Sequence, residues 1–183
     1  MEIQLTRTEK EFEEAIKECR DIFEKKLEDY GTSWRLMRPS SLTDQIFIKA
    51  SRIRQIEEKG EENLKIKEGV RSEFIGIVNY GAIALIQLEK GPGEPIDKKE
   101  ALQLYDKEIK ASTKLMLNKN HDYDEAWRSM RVTSFTDIIL QKIYRTREIE
   151  NHKGHTLISE GVDANYMDII NYALFALIKL SKD

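Results

Sequence analysis

YGTSWRLMRPSSLTDQIFIKASRIRQIE, residues 30–57, and YDEAWRSMRVTSFTDIILQKIYRTREIE, residues 123–150, are two versions of one segment. Aligned without a gap at an offset of 93, they share 14 of 28 residues. Tyr30/Tyr123, Trp34/Trp127, Arg35/Arg128, Met37/Met130 and Arg38/Arg131 open the match. Ser41/Ser134, Thr43/Thr136, Asp44/Asp137, Ile46/Ile139, Lys49/Lys142, Arg52/Arg145 and Arg54/Arg147 continue it, and Ile56/Ile149 and Glu57/Glu150 close it. It resumes one residue out of step at Glu68-Gly69-Val70 against Glu160-Gly161-Val162, then at Asn79-Tyr80 against Asn171-Tyr172. Polar residues on a solvated surface drift freely, so those kept in both copies mark a shared demand.

Working outward, each half predicts the same three helices. A capping-box pattern, Thr8 with Glu11, opens a helix running to about Leu27, and Asp97 with Glu100 opens its counterpart, which reaches about Leu117. Irregular segments carrying the Trp-Arg pairs follow. Second helices are predicted from Ser41 and Ser134 to about Glu58 and Asn151, with Asp44 and Asp137 as capping acids three residues on, unless they contact metal or substrate. Third helices are predicted over 70–88 and 162–180. Nothing alternates with period two, so no sheet is expected. Gly91-Pro92-Gly93-Glu94-Pro95 is the strong breaker cluster and divides a single domain, 1–183, into halves 1–90 and 96–183 joined by the linker 91–95. The expected architecture is all-α: a helical bundle of two tandem three-helix repeats related by a pseudo-twofold axis.

Composition narrows the function classes. The chain has 183 residues, 34% of them charged, 40% hydrophobic and three prolines, which suits a soluble helical protein. A net charge of −3 disfavours nucleic-acid polymers and anionic membranes as partners. Cys19 is the one cysteine, so no internal disulfide or cysteine-based metal knuckle is expected. The N-terminal residues lack the basic-then-apolar order of a secretory signal, and the apolar runs around 83–88 and 173–180 are shorter than a bilayer span. A cytoplasmic protein, monomer or homodimer, is the expectation.

Lys49 falls inside the apolar stripe of Leu42, Ile46, Ile53 and Ile56, and Lys142 inside that of Phe135, Ile139 and Ile149. An ammonium facing a core is costly unless paired. Either a carboxylate satisfies it, or it forms an anion site with Arg52 (Arg145) one turn later and with Arg35 (Arg128) from the preceding segment. Lysine point charges and guanidinium forks together suit a phosphate chain.

The third helices carry the acids. Glu73 and Asp168 each keep one member of an i, i+3 pair, the other position of which is Gly76 in the first half and Asn165 in the second. With Glu68, Glu160 and Asp163 they are candidate oxygen ligands for Mg²⁺, although acids at a helix start also answer the macrodipole. Asn79 and Asn171 interrupt very apolar runs and are either interhelical core contacts or readers of a base or ribose. Trp34 and Trp127 are base-stacking candidates or core anchors.

The repeated pattern Asp-Tyr, Trp-Arg, Ser-x-x-Asp, Lys-x-x-Arg-x-Arg, Glu-Gly and Asn-Tyr, spanning 29–88 and 122–180, resembles a bacterial family called nucleotide modification associated domain 1. A looser similarity links the chain to the all-α nucleoside triphosphate pyrophosphatases of the MazG and dimeric dUTPase type. Those hold magnesium between helices carrying Glu-x-x-Glu and Glu-x-x-Asp. Together these likenesses imply a nucleotide or other small phosphorylated ligand. If the chain is an enzyme, they imply magnesium-assisted release of pyrophosphate. Glu160, Asp163 and Asp168 would then hold the metal, and Lys142, Arg145 and Arg128 would neutralise the leaving phosphates. Lys49, Arg52, Arg35, Glu68 and Glu73 would be their counterparts. The alternative is a nucleotide-binding or regulatory module without turnover, or a structural helical partner.

Overall fold

A computed structural model describes residues 5–60 and 69–182. Helix α1 spans Arg7–Tyr30 and is capped two residues earlier than expected, by Thr6 rather than Thr8. The Thr6 hydroxyl accepts from the Glu9 amide at 3.2 Å, and the Glu9 carboxylate accepts from the Thr6 amide at 2.7 Å. Two capping boxes overlap in this sequence, and the first is used. Thr8 is instead buried and donates to Glu125.

Helix α2 spans Pro39–Lys59, with Pro39 in the first turn, where its missing N–H costs nothing. Starting at Pro39 puts Asp44 too deep to cap. Asp44 accepts from Arg147 across the molecule at 3.0 Å, and Asp137 lies 3.4 Å from Arg54. The remaining helices are α3, Gly69–Lys90; α4, Lys98–Tyr123, capped by Asp97 as expected; α5, Val132–Asn151; and α6, Val162–Leu180. Short 3₁₀ turns, Ser33–Leu36 and Ala126–Ser129, fill the irregular segments. No strand occurs among the described residues.

The helices stack in three layers of two. α3 and α6 pack on each other in the middle, α2 and α5 cover one side, and α1 and α4 cover the other. The middle pair is far more apolar than the other four helices, which is how a largely enclosed helix reads in sequence. By length and composition α3 would serve to cross a membrane, so its apolar stretch is longer than the run expected from sequence. However, 72% of that window is buried within the bundle. Gly81 sets the approach of the pair: a Cβ there would stand 2.6 Å from Ile170 of α6.

The pseudo-twofold relation appears bond by bond. Asn79 donates to the Cys19 carbonyl at 3.0 Å, and Asn171 to the Ser112 carbonyl at 2.9 Å. Gln87 donates to the carbonyls of Arg35 and Met37, and Lys179 to those of Arg128 and Met130. Across the α2/α5 contact, Thr136 donates to Glu57 at 3.0 Å and Thr43 to Glu150 at 3.3 Å. Much of the polar identity between the copies therefore serves the fold.

Candidate functional site

Lys49 reaches into the bundle because Gly76 opposite it has no side chain. A Cβ there would lie 2.7 Å from the lysine stem. The Lys49 ammonium stands 3.4 Å from Glu73, 5.6 Å from the Tyr80 ring centroid, and Arg52 donates to the other Glu73 oxygen at 3.1 Å. The sequence-predicted set Lys49, Arg52 and Glu73 is thus brought together.

Beside it lies a cavity of about 770 Å³. Its walls include Phe23, Trp34, Tyr80 and Ile83, with Lys26 and Lys49 as cations. Arg71 and Glu18 also line it, but they pair with each other through both carboxylate oxygens and add little net charge. Lys26 has no ion pair or hydrogen bond among the described residues, whereas the other end of the pair, Lys49, is held at 3.4 Å by Glu73. Burial pushes the Tyr80 hydroxyl above the ordinary tyrosine value, so that wall stays neutral.

The corresponding place in the second half is arranged differently. Asp168 accepts from Lys142 at 3.0 Å and from Lys119 at 2.7 Å. Burial pulls the Lys119 ammonium down, but the bond and attraction to Asp168 outweigh it, leaving its pKa above the ordinary lysine value. The Trp127 ring stacks on Phe175 with centroids 4.5 Å apart and planes 11° apart. Arg145 is exposed and does not join Asp168.

Other sequence-predicted residues lie elsewhere. Arg35 is buried under the linker, where it donates to Gln87 and to the Gly91 carbonyl at 2.8 Å. Arg128 lies over the Trp127 ring and donates to Glu125, Thr8 and Glu11 at 2.9, 2.8 and 2.7 Å. Neither arginine is drawn to the lysine of its half. Both asparagines bind helix backbone, and Asn79 also lines the cavity. Glu160 and Asp163 are exposed, and Glu68 lies outside the described residues.

The described acids do not fit magnesium. Among the described residues no group of three or more His, Cys, Asp or Glu is placed to hold a metal. Glu73 and Asp168 are each already neutralised by two cations. Lys26 and Lys119, which sequence reasoning missed, obey the same offset of 93 and lie four residues before the repeated block opens. Extending the alignment backward finds them.

The profile of the family described as nucleotide modification associated domain 1 matches residues 26–88 and 119–180, more than half of the chain. The chain belongs to that family. Each match begins at one of the two lysines just described, so both nucleotide modification associated domains contain the whole lysine and Trp-Arg set. No curated protein and no solved structure matches the chain.

Proposed function

We propose that this nucleotide modification associated protein binds a nucleotide in the first-half cavity. The base would lie against Trp34 and Tyr80, and the phosphates at Lys26 and Lys49. The carrying observation is that one cavity of about 770 Å³, a size typical of small-molecule sites, joins an aromatic wall to two lysines. Lys26 is a cation without a counter-ion among the described residues, and Lys49 is held at a distance by an acid that Arg52 also holds. A phosphate entering between the lysines leaves Glu73 to Arg52. A net charge of −3 favours a small ligand over a polymer.

Titrating purified protein with ribo- and deoxynucleoside mono-, di- and triphosphates by calorimetry tests this. Lys49→Met and Lys26→Ala should each weaken binding at least tenfold, about 1.4 kcal/mol. Absence of binding across the panel, or unchanged affinity in folded Lys49→Met, overturns the reading. The same panel with magnesium, followed by phosphorus NMR, tests the hydrolytic alternative suggested by the looser likeness to pyrophosphatases. Release of pyrophosphate would replace binding with catalysis.

A further inference from the structure

The two halves keep the two lysines, the tryptophan and the third-helix tyrosine but differ at many of the lining positions, Phe23 against Met116 among them, and two of these differences bear on the lysines and the tryptophan. Lys26 and Lys119, Lys49 and Lys142, Trp34 and Trp127, and Tyr80 and Tyr172 are identical pairs at the repeat offsets. Gly76, however, corresponds to Asp168, and Ile83 to Phe175. In the first half the smaller residue of each pair lines the cavity. In the second, the larger ones take the partners that a ligand would take: the Asp168 carboxylate bridges Lys119 and Lys142, and the Phe175 ring stacks on Trp127.

We infer that the second half is a self-occupied copy of the nucleotide site, with Asp168 in the place of a phosphate and Phe175 in the place of a base. This rests on the proposed nucleotide binding in the first half and adds that each chain carries one open site. The chemistry agrees on both counts. Asp168 is 5% exposed, and a carboxylate so buried is tolerated only when paired, as it is here. Phe175 also meets Phe12 at 5.4 Å and Phe135 at 5.9 Å, so it is integrated in the core. The first half lacks both inserts. Its acid, Glu73, lies one turn earlier, opposite Asn165 in the alignment, and holds Lys49 while leaving Lys26 without a partner among the described residues. In the open copy Lys26 faces solvent, free to take an anion.

Copying the inserts into the open half tests this. The double variant Gly76→Asp, Ile83→Phe removes no packed ring, and its Asp requires the Lys49 stem, 2.7 Å from where the Cβ would stand, to move aside. Lys49, whose flexible stem borders Gly76, has Lys142 beside Asp168 as its precedent. The expected result is a melting temperature raised by several degrees and nucleotide affinity reduced at least a hundredfold. The neutral isostere Gly76→Asn with Ile83→Phe should keep less than half of the thermal gain, because the added charge, not helix propensity, is the cause. A graft that melts below the wild type, or that binds nucleotide as the wild type does, overturns the inference. The converse variant, Asp168→Gly with Phe175→Ile, should raise the calorimetric stoichiometry from one nucleotide per chain to two. A folded variant that stays at one overturns it. If the wild type binds no nucleotide, the proposed function falls, and the graft's melting temperature still judges whether the inserts complete the site.

Discussion

At Asn171 the side-chain oxygen is buried without a hydrogen-bond partner among the described residues, whereas at Asn79 the same atom accepts from the Tyr105 hydroxyl at 2.7 Å. The offset of 93 explains the difference: the residue matching Tyr105 is Phe12, which has no hydroxyl. Phe12→Tyr should supply the missing donor and raise stability by about 1 kcal/mol, an ordinary net value for one buried hydrogen bond. Urea denaturation measures it, and the gain should vanish when Asn171 is Leu. A loss would mean the hydroxyl does not fit beside α6. From sequence, the asparagines could be core contacts or base readers, and nothing along the chain told which backbone carbonyl lay within reach. The lysines were harder in another way. Lys49 and Lys142 stood out by interrupting an apolar stripe, but Lys26 and Lys119 sit among other charged residues and gain meaning only from the cavity wall.

Helix α3 was legible almost to its ends because of its long apolar run, as was α6. Their pairing in a central layer follows from that property. The starts of α1 and α2 were less legible. Two capping boxes compete within Thr6–Glu11, and a proline opens α2 before the serine expected to cap it. The meeting of α3 and α6 yields a test of how tightly the elements interlock. On an exposed helix, replacing glycine by alanine gains up to about 1 kcal/mol. At Gly81 the added methyl would meet Ile170 at 2.6 Å, and overpacking costs about 1–3 kcal/mol. Gly81→Ala should therefore lower the melting temperature. A rise would show that the two helices slide apart freely.

Over the whole molecule, duplication has produced something built like a dimer in one chain. The pairs Asp44–Arg147 and Asp137–Arg54 are the reciprocal contacts expected of a twofold interface. Residues 1–90 expressed alone would expose the face of α3 that α6 covers, so they should self-associate or remain unfolded. Sedimentation and circular dichroism distinguish these from a folded monomer, which would contradict the layered account. The fold was legible because its demands are met by residues alike in both copies. The candidate site was only half legible, because identity drew attention to Arg35 and Arg128, which the fold employs. What separates an open cavity from a filled one lies where the copies differ, at Gly76 against Asp168 and Ile83 against Phe175.

Asp168 and Phe175 stand seven residues apart on one helix, about two turns or ~10.5 Å of axial rise. The filled half therefore carries a ruler with a ring at one mark and a negative charge at the other. If the open half binds a nucleotide as proposed, that ruler would disfavour a ligand whose charge sits close to its ring and favour a base trailing two or three phosphates. Affinity in the nucleotide panel should then climb with phosphate count and depend little on which base is attached.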